Sequence, residues 1–442
     1  MEPLENQKLS TWYRRFAVVA IVVACALPIA NIGADAASGK CSKAGKQQIV
    51  RKVKYKCVKS GRTLIWQIQK PSSTTATAAT TTTTTATATT TTTVVDLSVD
   101  SSISTAEKLS ALNDCKIPSV AGGATSSGFP RSASLPSSTG TLKILVVPLI
   151  FDDLLYTTST ESLLKDAYEK VKNYYRTVSF GRAGVDVSFA DPSLWVTLGG
   201  TASSRMDRNQ TKTPLIREAI GVLSSRTNLA PYDVVSFVTG VDSRQFGSES
   251  FGAGSGTYAT NARFAATLDT GENVGKWRII AHEIAHAWLG YQDLYGLSNW
   301  TQYVGGWDLM ELPQSAASEL ISWHRFLSGW ISDSLVRCVS RTQVTTNFVA
   351  PLSSSRETPK SIIVKLGSNT VLVIERRIPT EFDAVNDSVI VYFVDTSFAT
   401  GAGPIRLRGA LTKVGDQVTT DGVKISIIKM NSTGSLIEVA PA

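Results

Sequence analysis

Apolar positions follow two periodicities along this chain, and the change between them divides its second half. Residues 143–151 are a nearly unbroken apolar run, Lys143-Ile144-Leu145-Val146-Val147-Pro148-Leu149-Ile150-Phe151, which ends at Asp152-Asp153. Such a run predicts a buried strand. Residues 161–176 switch to spacings of three and four, with Leu164, Ala167, Tyr168, Val171 and Tyr175 recurring, which predicts an amphipathic helix. Alternation over 185–189 and a second apolar run over 233–238 predict two further strands, with a helix over 214–223 between them. Strands and helices thus alternate to about residue 275, the pattern of a sheet layer with helices packed on it. From residue 336 the helical period disappears. Runs at 361–366, 371–375, 389–394 and 423–428 read as strands separated by turns, spaced as in a β-sandwich-like domain. The fold class expected is α+β: a mixed sheet with helices over 141–335, then a β-rich domain over 336–442.

The front of the chain is different. Arg14 and Arg15 precede an apolar stretch over 16–29, and Ala34-Asp35-Ala36 follows it. That order reads as a signal peptide over 1–36, with an uncleaved anchor as the alternative. A secreted, extracellular protein is therefore expected, with cell-envelope association as an option. Residues 40–70 carry ten Lys/Arg and no acid, whereas residues from 71 onward carry 31 basic and 33 acidic side chains. The formal net charge of +8 therefore belongs to one small module over 37–70, suited to an acidic envelope polymer or an anionic lipid surface. The near-neutral body argues against nucleic acid as a partner. Residues 74–93 are fifteen Thr and five Ala, a composition with no core-forming residues, so 71–93 is a linker. The Ser/Gly-rich residues 94–140 read as further linker or a prosegment, with a short helical stretch over 105–112 and continuous folded structure from Thr141.

Cleavage after the signal would leave Cys41, Cys57, Cys115 and Cys338. An even number in an exported chain favours disulfides, Cys41 with Cys57 and Cys115 with Cys338. The alternative for Cys115 is a thiolate lying on the metal of a latent enzyme.

The candidate chemistry centres on histidine, of which the chain has three, His282, His286 and His324. His282-Glu283-Ile284-Ala285-His286 is an H-E-x-x-H pattern within a helix-compatible stretch over 276–289, and Gly290 provides the stop. Positions i and i+4 share a helix face, so both imidazoles can reach one Zn²⁺, with Glu283 beside it as general base. A catalytic zinc site needs a third protein ligand. Asp293, soon after the turn at Gly290, is the first choice; Glu311, Asp308, Glu319 and His324 are the alternatives. His324 itself reads as a partly buried or surface residue on a helix over 318–327. Tyr295 and Tyr303 are candidates to stabilise an oxyanion.

These residues resemble the secreted metallopeptidases of the immune inhibitor A type. The resemblance rests on the metal helix followed by Gly290 and Asp293-Leu294-Tyr295, on Gly305-Gly306-Trp307-Asp308-Leu309-Met310, and on the helix leading to Leu327-Ser328-Gly329-Trp330. It extends more loosely over about 140–442. One residue more than in the family lies between His286 and Gly290. The resemblance implies a zincin-like domain with an active-site helix, Zn²⁺ as cofactor, calcium as an option through loop carboxylates, protein or peptide substrates, and Met310 beneath the metal site. The expected function is a zinc metalloendopeptidase in which Glu283 activates water. The alternatives are a non-catalytic envelope-binding protein on a decayed peptidase fold, and a zinc hydrolase acting on cell-wall peptides. The sequence has no P-loop or dinucleotide fingerprint, since the Gly-rich stretch over 252–256 lacks the Lys and helix that would follow.

Overall fold

A computed structural model describes residues 46–50, 53–60, 63–68, 109–120, 127–205, 213–239, 248–251, 263–267, 276–296, 301–311 and 319–442. The expected signal peptide, the Thr/Ala linker and Cys41 lie outside these residues, and so does the expected Cys41–Cys57 bond. The chain divides into two units, Met1–Thr93 and Val94–Ala442. In the first, β1 (Gln47–Val50), β2 (Val53–Ser60) and β3 (Thr63–Ile68) form an antiparallel sheet in sequence order, with Cys57 buried and paired opposite Trp66.

The second unit is a mixed α+β fold with several sheets and few helices. Its first part contains α1 (Leu112–Cys115), β4 (Gly140–Ile150), α2 (Thr158–Val178), β5 (Ala183–Phe189), β6 (Val196–Thr197), α3 (Ala202–Arg205), α4 (Thr213–Ser224), β7 (Val234–Thr239), β8 (Ser248–Phe251), β9 (Arg263–Thr267), α5 (Lys276–Leu289) and α6 (Ser322–Leu327). Among the described residues no helix is long and apolar enough to cross a membrane.

The strand order is β5-β4-β7-β9-β8, with β6 also on β4. The β5, β4, β7 and β9 pairings are parallel, and β8 is antiparallel on β9. Ile144 and Val146 of β4 face a core shared with α2 and α5, whereas Leu145, Val147 and Leu149 face a second core shared with α4. Burial on both faces is why the β4 sequence is an apolar run and not an alternation. Helix α2 starts where the Thr157 hydroxyl accepts from the Thr160 N–H, satisfying one of the free donors of the first turn.

The remaining strands are β10 (Val336–Ser340), β11 (Thr345–Val349), β12 (Ser361–Lys365), β13 (Thr370–Arg377), β14 (Ser388–Asp395), β15 (Ile405–Leu411), β16 (Gln417–Thr420), β17 (Val423–Met430) and β18 (Ser435–Pro441). They form a five-stranded sheet, β10-β12-β13-β14-β15, and a four-stranded sheet, β11-β18-β17-β16. Ile362, Val364, Leu372, Ile374, Val389 and Val391 of the first share a core with Ile425, Ile427, Ile437 and Val439 of the second. The opposite face of the five-stranded sheet is also buried. Ile363, Val373, Ile390 and Tyr392 belong to the core that holds α2 and α5. Each such side chain contributes about 1.5–3 kcal/mol by burial. The five-stranded sheet is thus one wall of the helical layer as well as one half of a β-layer pair.

Charged residues are buried where the two parts meet, and each is paired. Arg377 contacts Asp383, lies 3.2 Å from Glu375, and donates to the carbonyls of Trp307 and Glu319. Arg325 contacts Glu319, whose other oxygen accepts from Thr380. Burial of this many charges is tolerable only with such complete pairing.

Two expectations need correction. Folded structure begins well before Thr141. Leu109 bridges to Val339, and a disulfide joins Cys115 to Cys338, so Cys115 offers no thiolate to a metal. The Ser-rich stretch behind it has few apolar side chains, but its backbone carbonyls receive three buried indoles: Trp323 donates to Ser127, Trp288 to Ser137 and Trp330 to Ser138, each at 2.7 Å. The described residues of 94–140 are therefore packed into the body. Secondly, α6 starts at Ser322, later than expected. The N–H groups of Ile321 and Ser322 are taken by the carboxylates of Asp308 and Glu375, which fixes the point where the helix begins.

Candidate metal centre

Helix α5 spans the stretch expected from sequence. Ile280, Ala281, Ile284, Ala285, Ala287 and Trp288 are all buried, so the helix is enclosed by neighbours on most of its circumference. The Tyr175 hydroxyl on α2 donates to the Ala281 carbonyl at 2.6 Å, and the rings of Tyr175 and Trp288 pack edge to face at 5.1 Å. Arg131 donates to the Trp288 carbonyl at 3.0 Å. The helix is thus anchored along its length and at its C-terminal end. Gly290, at φ +70°, turns the chain out of it, a conformation that costs glycine little.

One turn apart on this helix, His282 and His286 bring their Nε2 atoms to 3.1 Å from each other. Asp293 Oδ1 lies 3.2 Å from His282 Nε2 and 3.0 Å from His286 Nε2. The extra residue before Gly290 therefore does not keep Asp293 from the two histidines. The other ring nitrogens face the backbone. His282 Nδ1 is 3.0 Å from the Leu309 carbonyl and His286 Nδ1 is 2.6 Å from the Tyr291 carbonyl. A carbonyl only accepts, so each Nδ1 carries the proton, and each Nε2 of a neutral ring presents a lone pair. Two lone pairs and a carboxylate oxygen then converge on one point, an arrangement that needs a cation. Among the described residues these are the three side chains whose ligand atoms cluster within 4.8 Å of one another. Two imidazoles and a carboxylate form a donor set suited to Zn²⁺.

The electrostatics agree. Burial opposes a charge on His286, but the adjoining Asp293 carboxylate outweighs it and raises the imidazole pKa to about 9. Burial likewise opposes ionisation of Asp293, and the two histidines, His286 foremost, hold its carboxyl well below the usual range. In the metal-free protein a proton supplies the required positive charge.

Glu283 is 6% exposed and acts electrostatically on both His286 and Tyr295. Tyr295 stacks on His282, with ring centroids 6.4 Å apart, and hydrogen-bonds to Asp293. Burial first, and then the charges of Asp293 and Glu283, raise its phenol pKa, so the hydroxyl keeps its proton. At Tyr303, Arg406 lies over the ring, and the backbone carbonyl accepts from the Leu407 N–H on β15.

The alternative third ligands are occupied. Glu311 accepts from the N–H groups of Tyr303, Val304, Gly305 and Gly306, shaping that loop around its carboxylate. Asp308 accepts from Met310 and Ile321 backbone N–H groups and from His324 Nδ1. Glu319 is held by Arg325 and Thr380. His324, expected to be partly buried or at the surface, is 0% exposed and stacks on Tyr291 at 4.1 Å. Met310 is buried, and its carbonyl accepts from the Leu294 N–H at 2.9 Å, which ties the turn bearing Asp293 to 308–311.

Sequence reasoning missed Thr400. It lies on the loop between β14 and β15 and touches both the backbone and the side chain of Asp293. Nothing local marks a threonine 107 residues away as part of this site.

No protein-family model matches the chain, and no curated protein matches it.

Proposed function

We propose that this chain is a secreted, zinc-dependent endopeptidase with a zincin-like catalytic domain over 141–335. The observation that carries this reading is the convergence of His282 Nε2, His286 Nε2 and Asp293 Oδ1 with both Nδ1 atoms already bound to carbonyls. These three residues would hold the ion. Bound there, zinc would acidify a water and polarise a scissile carbonyl.

The protein's own groups supply the rest. Glu283, next to His282 on the same helix, accepts the proton lost by the attacking water and delivers it to the leaving amine. The burial of Glu283 limits competing solvent around that transfer. Tyr295 keeps its phenolic proton at neutral pH, and by turning its hydroxyl from Asp293 it would donate to the oxyanion that forms as the carbonyl is attacked. The carbonyls of Leu309 and Tyr291 fix the histidine tautomers and so keep both Nε2 atoms available.

The basic segment over 40–70 is proposed to hold the enzyme at an acidic envelope polymer or an anionic lipid surface. Purified full-length protein should contain one zinc per chain and hydrolyse casein. Glu283→Gln should keep the zinc and lose about 10²–10⁴-fold in kcat. Stoichiometric zinc with no hydrolysis by the parent protein would instead favour the non-catalytic binding reading.

A further inference from the structure

We propose that Thr400 is a positioning residue for the third metal ligand, so that a loop of the C-terminal five-stranded sheet completes the metal centre. This rests on the zinc reading above and extends it to residues far from the helix.

Asp293 has no helix to orient it. It follows the turn at Gly290, and the histidines and Tyr295 meet its side chain without holding its backbone. Three contacts from residues 400 and 401 fix both. The Asp293 N–H donates to Thr400 Oγ1 at 2.9 Å, and the Gly401 N–H donates to the Asp293 carbonyl at 3.1 Å. The Thr400 hydroxyl donates to Asp293 Oδ2 at 3.3 Å. One hydroxyl therefore accepts from the backbone and donates to the side chain of the same residue. It occupies Oδ2, and Oδ1 is the oxygen left facing His282 and His286. Contacts of this outer kind orient metal ligands, and their loss typically reduces metal affinity about 10–100-fold.

The loop is itself fastened, so its hold on Asp293 is not loose. Gln292, beside Asp293, donates to the Phe398 carbonyl at 3.4 Å and accepts from the Ser127 hydroxyl at 2.5 Å. Arg406 on β15 donates to the carbonyls of Gly403 and Ala402 and lies over the Phe398 ring at 4.5 Å. Thr396 donates to the Pro118 carbonyl at 2.5 Å. Asp293 is thus gripped by a loop that is braced against both β15 and the front segment of the body. Thr400 is exposed, so replacing it disturbs no core packing.

The test is zinc affinity of the full chain, read by competition with a chromophoric chelator, together with Tm of the zinc-free form. Thr400→Val and Thr400→Ala should raise the zinc Kd about 10–100-fold at an unchanged zinc-free Tm. Thr400→Ser, which keeps the hydroxyl, should remain near the parent value. If Val and Ala bind zinc as tightly as the parent, or if Ser weakens binding as much as Val, Thr400 does not position the ligand, while the zinc reading stands. If the parent protein takes up no zinc, both proposals fall together.

Discussion

His286 with Asp293, and His324 with Asp308, are two histidine–aspartate contacts of the same length, 3.0 Å, in one folded unit. They differ in what the rest of each residue does. At Asp308 both oxygens are taken by the protein: one receives the Met310 N–H, and the other receives Ile321 N–H and His324 Nδ1. Both side chains are 0% exposed, and His324 Nε2 has no hydrogen-bond partner. At Asp293 the backbone takes the Nδ1 side of both histidines, Thr400 takes Oδ2 and Tyr295 also bonds to the carboxylate, so with neutral rings the two Nε2 lone pairs and Oδ1 are aimed at one another. Residue type does not separate a structural His–Asp pair from a candidate metal site. What separates them is which lone pairs remain after the backbone has taken its share, and whether those that remain converge.

That contrast is open to direct attack. The largest effect is expected from His286→Ala, which removes one of the three converging atoms. Zinc affinity should fall by more than ~100-fold, beyond the range for outer contacts, whereas His324→Phe should leave zinc stoichiometry unchanged; metal analysis after dialysis distinguishes the two. Stability should respond in the opposite way. Asp308→Ala strands three buried donors and breaks a buried pair, and should cost about 3–5 kcal/mol in urea unfolding. If it costs nothing, the 308–324 contact is not the structural member of the comparison.

The most gradual effect is the pH dependence. His286 has its pKa raised from 6.5 to about 9 in the metal-free protein. A group raised on folding stabilises the native state fully below its unfolded value, and that contribution is lost as pH rises through the folded value. Zinc-free protein should therefore lose Tm between about pH 6.5 and 9 from this group. Zinc needs the unprotonated ring, so its affinity should rise over the same interval, by up to about tenfold per pH unit, with a proton released on binding. A zinc affinity flat across that range would mean that His286 holds no proton for zinc to displace.

The parts legible in the sequence are those set by local periodicity. The bounds of α5, the shared face of His282 and His286, and the strands that read as apolar runs all follow from neighbours a few residues apart. Asp293 was reachable because it lies just beyond a glycine stop. Legibility failed where polar residues do the work of packing. Asp308, Glu319, Glu375, Arg377 and Asp383 are buried, but as letters they mark surface, and only their partners across the fold explain them. Strand β15 carries Arg406 and Arg408 amid its apolar positions, so it lacks the run that identified β13 and β14. The stretch before β4 looked like a linker because it contributes carbonyls more than apolar side chains, and hydropathy does not register carbonyls. Thr400 was out of reach for the same reason as the Cys115–Cys338 pairing was only an inference: both depend on closures over more than a hundred residues.

For the protease proposed above, the disulfide bears on survival of its own activity. It closes a covalent ring of chain from Cys115 to Cys338, and His282, Glu283, His286, Asp293 and Asp308 all lie inside that ring. A single cut anywhere within it leaves the two pieces tethered, so the proposed metal ligands stay in one molecule. Thr400 lies outside the ring. A cut between 338 and 400 would leave its loop attached only through the strands and contacts of the C-terminal sheets, and the covalent protection given to the ligands does not extend to the residue proposed to aim one of them.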